Sequence, residues 1–306
     1  NSNYPSYHED VVIYDVIDSK TDKHLGIMYS DLYYREQKYP HAWMSTIYTK
    51  HTRRNGEDQI PICSINASYV EPAEPDTPAL LSLGDVRTLF HEGGHALHCL
   101  LSQTPKYQSL SGTNVKWDFV ELPSQIMENW VMEKEILTGF AKHYKTGEDL
   151  PDQLFDKIKA SETHMSGLFY FRQNFLGHLD QAWHTEMDGS EDLEQIRDFE
   201  HHIGERFYPD EERQGASISQ KFSHIFSGGY ACGYYSYAYC EMLDADAFEA
   251  FEEAGDLYHR ETADKLRELM DKGGTCDPLK LYRNFRGRKP DPEAMFKRAG
   301  MVKNQL

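Results

Sequence analysis

The sequence contains no Cys-x-x-Cys pair. Its five cysteines are scattered over 306 residues, at Cys63, Cys99, Cys232, Cys240 and Cys276. An odd and scattered set in a chain of this length predicts free thiols in a reducing compartment, so we expect a cytoplasmic protein. The chain begins Asn1-Ser2-Asn3 without a methionine or a signal peptide, which indicates a fragment or a processed chain.

Long apolar runs and positive charge are also scarce. No apolar run approaches the length of a membrane span, and the composition, 39% hydrophobic and 27% charged, predicts a soluble globular chain. Lysine and arginine total 32 against 50 acidic residues, a net charge of −18. Nucleic acid and anionic membranes require a basic surface, so neither is expected as a partner.

One run, Leu89 to His98, contains the pattern His-Glu-x-x-His. Residues four apart share a helix face, so His91 and His95 can direct their imidazoles at one metal ion. Glu92, one residue on, is placed beside that ion as a general base for a zinc-bound water. Ser82, with Asp85 three residues later, predicts the start of this helix.

A zinc site of this type needs a third protein ligand. Asp118, Glu121 and Glu128 are the candidates, and the seven-residue spacing places Glu121 and Glu128 on one helix face. One could ligate while the other orients a ligating histidine, or both could belong to an ordinary solvated acidic stripe. His98 is a rival, but it lies a further turn along the helix and is interpreted as a packed histidine.

Two glycines inside this helix, Gly93 and Gly94, each cost about 1 kcal/mol relative to alanine. Either close approach of another chain segment or of substrate, or tight helix packing, would explain them.

A second cluster combines His224 with Tyr230, Tyr234 and Tyr237, after the Gly228-Gly229 turn. At 100° per residue the three tyrosines would line one helix face. Phenol hydroxyls near a metal can donate to the oxyanion of a tetrahedral intermediate or bind a peptide carbonyl. The alternative is a tyrosine stripe that packs in the core.

The overall pattern predicts the α+β class, with a small sheet first (1–70) and a large helical body (79–306). Strands are predicted over 11–17, 25–29, 42–48 and 60–69, the first two as a hairpin, and helices over 121–144, 151–187, 191–206, 261–271 and 291–299, with a tyrosine-rich helix that ends at Phe251. Nucleotide-binding and serine-hydrolase motifs are absent, and a di-iron site lacks its second Glu-x-x-His.

Four stretches together resemble the catalytic half of the thimet oligopeptidase family of zinc peptidases, closest to its oligopeptidase A and dipeptidyl carboxypeptidase branches. They are residues 89–98 (LFHEGGHALH), 117–130 (WDFVELPSQIMENW), 222–237 (FSHIFSGGYACGYYSY) and 285–290 (FRGRKP). The resemblance extends from about Tyr7 to the end of the chain and implies a mainly helical, zincin-type (neurolysin-like) catalytic domain over 1–306.

The resemblance also implies roles for individual residues. One Zn²⁺ per chain would be held by His91, His95 and Glu121, with Glu92 as general base and Glu128 supporting a ligand. The remaining implied contacts, to substrate or to the oxyanion, are Tyr230, Tyr237, His224, Tyr234 and Gly229.

The implied function is zinc-dependent hydrolysis of short oligopeptides, by internal cleavage or by removal of C-terminal dipeptides. Family members are about twice this length, and their N-terminal helical half, absent here, forms the opposite wall of a channel. That half is therefore an expected partner, together with a short peptide substrate. The alternative is a catalytically incomplete fragment that acts as a metal-loaded peptide-binding module.

Two further expectations concern the substrate. An extended peptide is expected to add to the sheet edge near Ile62 to Tyr69. Arg283, Arg286 and Arg288 could bind a substrate carboxylate, but we interpret them as surface charge.

Overall fold

The computed structural model describes residues 4–72, 74, 77–207 and 217–302. Its strands are β1 (Val12–Ile17), β2 (His24–Tyr33), β3 (Trp43–Tyr48), β4 (His51–Thr52), β5 (Asp58–Gln59) and β6 (Ile62–Tyr69). Its helices are α1 (Leu83–Leu101), α2 (Trp117–Val120), α3 (Leu122–Val131), α4 (Lys134–Phe140), α5 (Asp152–Glu162), α6 (Ser166–Thr185), α7 (Leu193–Glu205), α8 (Ser223–Phe226), α9 (Ser236–Glu253), α10 (Arg260–Asp271), α11 (Pro278–Arg286) and α12 (Glu293–Arg298). The predicted class, mainly helical with a small sheet at the start, is confirmed. Within the described ranges, none of the helices combines the length and the apolar character needed to cross a membrane.

Four strands form the main sheet in the order β1-β2-β6-β3. The predicted hairpin is confirmed, since β1 and β2 pair antiparallel with Tyr14 opposite Met28. β6 runs parallel to β2 and antiparallel to β3. The expectation that a peptide adds to the edge near Ile62 to Tyr69 is therefore wrong, because β6 lies inside the sheet. Its nearly continuous burial is typical of an interior strand; among the described strands, β3 is the edge on this side.

Helix α1 packs on this sheet and begins at a capping box. The Ser82 hydroxyl accepts the Asp85 amide at 3.1 Å, and Asp85 accepts the Ser82 amide at 2.9 Å. The predicted helix start is confirmed. Behind it, Cys99 and Leu100 of α1 pack with Cys63 and Ile65 of β6 in a small apolar core. This core sets the height of α1 over the sheet.

Helices α1 and α3 approach each other at Gly94. A Cβ atom there would lie 2.2 Å from the Pro123 carbonyl oxygen and 2.6 Å from Ser124 Cα, so only glycine fits. At Gly93 an added Cβ would have no neighbour within 4 Å. Tight helix packing therefore explains Gly94, and it brings the chain at Glu121 up to the histidine face of α1.

Two predicted helices are interrupted. The segment predicted as one helix over 121–144 forms α3 and α4, with Glu121 at the junction of α2 and α3. The break between α3 and α4 falls at Met132 and Glu133, where the Glu133 backbone is extended, and periodicity does not register this local break. The segment 151–187 forms α5 and α6, separated at Met165, whose φ is +57°.

The helical body has its own core between α3, α9, α10 and α11, around Leu122, Ile126, Phe251 and Tyr282. At its surface, the expectation of plain surface charge is wrong for Arg286. Only 4% of that side chain is exposed, and it pairs with Asp246 of α9 at 3.4 Å.

Candidate metal centre and active site

Three residues from two neighbouring helices bring their side chains together. His91 Nε2 and His95 Nε2 lie 3.3 Å and 3.2 Å from the same oxygen, Glu121 Oε2. Within the described part of the chain, this is the one group of such side chains whose ligand atoms all lie within 4.8 Å of one another. Asp118 and Glu128 are not members of the group, and neither is His98.

The arrangement fits a zinc ion. Ligands held about 2.0–2.1 Å from a tetrahedral zinc are separated by ~3.3 Å, close to the two distances measured to Glu121. Two imidazole nitrogens and one carboxylate oxygen form a donor set typical of catalytic zinc, with one position left for water.

Neighbouring groups orient the ligand atoms. Glu128 Oε1 accepts a hydrogen bond of 2.7 Å from His91 Nδ1, which leaves Nε2 directed at Glu121. Ser124 Oγ donates to Glu121 Oε2 at 2.8 Å. Arg87 lies beyond Glu128, with its Nε 3.9 Å from Glu128 Oε2. Glu128 thus lies behind His91, on the side away from Glu121.

The local electrostatics favour positive charge. Burial alone lowers the pKa of His91, but the Glu121 and Glu128 carboxylates outweigh it and raise that pKa to about 10. Glu121 is only 1% exposed. Burial tends to raise the pKa of its carboxyl group, yet His91 and His95 hold that pKa well below its usual range. A cation is therefore stabilised here by the same carboxylates that stabilise a proton.

His98 is a packed residue of α1. It is fully buried, and burial lowers its pKa to about 3, so the imidazole is neutral at physiological pH. This agrees with its interpretation as a packed histidine.

Glu92 lies near His91 and His95, whose charges act on its carboxyl group, and it reaches the edge strand β3. Its side chain is nearly buried, at 8% exposure, and burial raises the pKa of its carboxyl group. The backbone amide of Met44, on edge strand β3, donates a hydrogen bond to it. A buried carboxylate of raised pKa beside a metal-binding group is suited to accept a proton.

The tyrosines converge on this site, although not for the predicted reason. They do not line one helix, because α9 begins only at Ser236 and Tyr230 and Tyr234 lie in the turn before it. The ring of Tyr237 lies 4.9 Å from that of Tyr230 and 5.2 Å from that of Tyr234. His224 joins them, 6.0 Å from both Tyr230 and Tyr237.

Tyr230 connects this cluster to the metal-binding group. Its hydroxyl donates to Glu121 Oε1, and burial together with the Glu121 charge raises its pKa, so the phenol stays protonated and can donate. Burial likewise raises the pKa of Tyr237. For His224, burial lowers the pKa and favours the neutral ring.

Trp117 borders the tyrosine turn and was not identified from the sequence as a site residue. Its ring lies 4.6 Å from that of Tyr230. At Gly229, whose φ is +86°, a Cβ would lie 3.2 Å from the Trp117 ring. Glycine is required there on both counts. The only signal in the sequence was the position of Trp117 inside a family-like stretch.

A cavity of about 1370 Å³ opens beside the site. His91, Glu128 and Tyr237 line one end, and the cavity continues between α3, α6 and α9 towards α12. Its volume is sufficient for several residues of a peptide.

Comparison with known proteins gives consistent results. The model of peptidase family M3 matches residues 1–301. Oligopeptidase A of Escherichia coli (strain K12) is 38% identical over 301 residues, which cover 96% of this chain and 43% of that protein. Dipeptidyl carboxypeptidase of the same strain is 35% identical over 303 residues, 97% of this chain and 43% of that protein. The chain thus spans less than half the length of these relatives.

Among solved structures, PZ peptidase A with an inhibitor superposes with a TM-score of 0.59 and 16% sequence identity, covering 89% of this chain and 43% of that one. At this low sequence identity, the superposition shows a similar fold and no more.

Proposed function

The chain belongs to peptidase family M3, and from this premise we propose that it hydrolyses peptide bonds in short oligopeptides with the help of one zinc ion. The observation that carries the proposal is the convergence of His91, His95 and Glu121, with the Tyr230 hydroxyl already bonded to Glu121. Residues 1–70 and 79–306 would act together as one catalytic domain in the cytoplasm.

His91, His95 and Glu121 would hold the ion. Zinc bound there supplies a Lewis acid that polarises a carbonyl and lowers the pKa of water from about 16 towards about 7. Glu128 would keep His91 in the tautomer that ligates, and Ser124 would orient the Glu121 carboxylate.

Glu92 is proposed as the general base. It takes the proton of the attacking water as the new carbon–oxygen bond forms, and then delivers that proton to the leaving amine. The raised pKa of its buried carboxyl group supports the first of these roles, because a stronger base accepts the proton of water more readily. The Met44 amide holds the carboxylate in place between α1 and β3.

Tyr230, Tyr237 and His224 are proposed to donate hydrogen bonds to the oxyanion that develops on the scissile carbonyl, and Tyr230 would turn its single hydroxyl proton from Glu121 to that oxygen. Tyr234 and Gly229 would contact the substrate beside them. An extended peptide is proposed to lie along β3, whose outer side pairs with none of the described strands.

The whole protein is proposed to include a second, N-terminal half that closes over the site. The alternative for this chain is a peptide-binding module that holds metal and cleaves nothing. Zinc near one per chain, with peptide bound but uncleaved, would favour that alternative.

The test is Glu92→Gln, which keeps size and removes the basic carboxylate. Zinc should remain near one per chain, while kcat for a quenched fluorescent octapeptide falls by about 10²–10⁴-fold, the usual contribution of a general base. Glu135→Gln, an exposed acid of α4, is the matched control and should keep both properties. Wild-type turnover in Glu92→Gln would contradict the assignment.

A further inference from the structure

The turn that carries Tyr230 and Tyr234 has little regular structure of its own. It precedes α9, and Cys232 at its centre has a φ of +56°, which is uncommon for a residue with a side chain. Inside it the Gly233 amide donates to the Tyr230 carbonyl at 2.8 Å, and at its ends the Tyr230 amide donates to His224 and the Ser236 amide to Gly233. A turn of this kind depends on contacts from outside to keep one conformation.

Those contacts come from Asp180 on α6. Asp180 Oδ1 accepts the Cys232 amide at 2.9 Å and Oδ2 accepts the Tyr234 amide at 2.8 Å. The neighbouring Gln181 donates through Nε2 to the Cys232 carbonyl at 2.9 Å. Two consecutive residues of α6 therefore bind the turn, one through its backbone amides and the other through a backbone carbonyl.

The Asp180 carboxylate is 0% exposed. Burying an ionised carboxylate is unfavourable unless hydrogen bonds replace its water. In the described ranges its side chain meets the two turn amides and His184, whose Nδ1 lies 3.0 Å from Oδ1. Oδ1 is shared between the Cys232 amide and His184, and Oδ2 accepts the Tyr234 amide, so each oxygen of the carboxylate holds one amide of the turn.

We propose that Asp180 is a positioning residue for hydrolysis, which fixes the turn so that the Tyr230 hydroxyl reaches the metal-binding group. This rests on the proposed function. The two amides that Asp180 accepts lie two and four residues after Tyr230, and the Tyr230 hydroxyl in turn bonds to Glu121. A shift of about 1 Å in the turn would remove the hydroxyl from hydrogen-bond range of a reacting oxygen.

The chain offers a matched comparison in Asp18. This carboxylate is also buried, and its Oδ1 accepts two backbone amides of a turn, from Lys20 at 2.8 Å and Thr21 at 3.0 Å. That turn joins β1 to β2 and carries none of the proposed site residues. Asp180→Asn and Asp18→Asn each neutralise a buried carboxylate that binds a turn, Asp18→Asn with the added loss of the Arg267 ion pair to Oδ2, and only the first turn carries the tyrosines.

The experiment measures kcat, KM and zinc content for both variants. Asp180→Asn should keep zinc near one per chain and lose at least about tenfold in kcat, with KM changed less than threefold, because a displaced oxyanion donor acts mainly in the transition state. Asp18→Asn should keep kcat within twofold. Wild-type kcat in Asp180→Asn, or an equal loss in both variants, would overturn the proposal.

A double-mutant cycle separates positioning from general destabilisation. In a Tyr230→Phe background the hydroxyl is absent, so adding Asp180→Asn should change kcat by less than about twofold. Independent, multiplicative losses would show that Asp180 does not act through Tyr230. If Asp180→Asn does not fold, Gln181→Ala removes a partly exposed contact to the same turn, and the same cycle applies.

A binding measurement distinguishes this proposal from the peptidase assignment. A phosphinic peptide imitates the tetrahedral oxyanion, and its Kd on the zinc-loaded chain requires no turnover. Asp180→Asn should weaken it at least about tenfold when Tyr230 is present and little in Tyr230→Phe. If the wild-type chain binds this peptide but cleaves nothing, the proposed function fails while the cycle still decides the role of Asp180. The same affinity in all four proteins would overturn the positioning role.

Discussion

At the scale of single residues, this protein holds charges where water is excluded, and each buried charge has specific partners. Glu121 is balanced by two histidines, Asp180 by backbone amides, and Asp31 by cations. Asp31 is 2% exposed and lies 2.9 Å from the Lys38 ammonium, with Arg35 bonded to both of its oxygens. These partners replace the water that each carboxylate loses on burial.

Asp31 gives a prediction about acid stability. Burial would raise its pKa, but hydrogen bonds from Arg35, Lys38 and Tyr7 outweigh burial and lower the pKa to about 2. Because the folded pKa lies below the unfolded one, ionised Asp31 stabilises the fold by about 2 kcal/mol above pH ~4, and this is lost as pH falls through ~2.

The destabilisation caused by Asp31→Asn should accordingly shrink between pH 4 and pH 2, measured by urea unfolding. Asp156→Asn, at an exposed carboxylate of α5, should show no such change. A constant difference for Asp31→Asn from pH 7 to pH 2 would refute this account.

The positions of some of these residues in the site can be predicted from the sequence, and those of others cannot. The spacing of His91 and His95 is enough to place both on one helix face. Glu121 and Glu128 could not be separated by spacing, because a seven-residue interval puts both on one face; only the family resemblance selected Glu121. Asp180 and the Met44 amide act through contacts between distant segments, which no local pattern records.

At the scale of elements, the site depends on how closely α1 and α3 approach. Gly94→Ala would place a methyl group 2.2 Å from a backbone oxygen of α3, whereas Gly93→Ala meets nothing within 4 Å. Both changes improve helix propensity by about 1 kcal/mol. Comparing the two variants therefore separates the effect of helix packing from the effect of helix propensity.

We expect Gly94→Ala to lower the free energy of unfolding by more than about 2 kcal/mol, since the clash forces the helices apart. It should also weaken zinc binding, because Glu121 moves away from the histidines. Gly93→Ala should leave zinc affinity unchanged and raise stability by up to about 1 kcal/mol. Denaturant unfolding and competitive zinc titration measure both, and equal behaviour of the two variants would rule out the packing explanation.

The elements themselves were predictable where periodicity determines them. The four predicted strands and the first helix are found, with β2 continuing beyond the predicted end to Tyr33, whereas the two-residue strands β4 and β5 were not predicted. The breaks at Glu133, Met165 and Cys232 were missed, since a local change of backbone geometry interrupts a pattern that continues on both sides. The tyrosines consequently met in space without sharing a helix.

At the scale of the whole molecule, the dominant property is a net charge of −18. A field of one sign steers oppositely charged ligands, and salt screens it as the Debye length falls from about 30 Å at 0.01 M to about 8 Å at 0.15 M. Association with cationic peptides should therefore depend on ionic strength.

We expect kcat/KM for a cationic octapeptide to fall several-fold between about 10 mM and 150 mM salt, and kcat/KM for an anionic analogue of the same length to rise. A neutral peptide serves as control and should change little. If salt affects all three peptides equally, long-range steering by the acidic surface is absent.

The order of the site residues along the chain has a consequence for how the protein assembles. The three proposed ligands all precede residue 122, whereas Tyr230 follows Glu121 by 109 residues. Short loops close at lower entropic cost, and a chain emerging from the ribosome folds its early segments first. We expect a nascent chain to be able to capture its ion once the segment up to α3 has emerged from the ribosome, and the oxyanion donors to be added only when the later helices have been synthesised and docked.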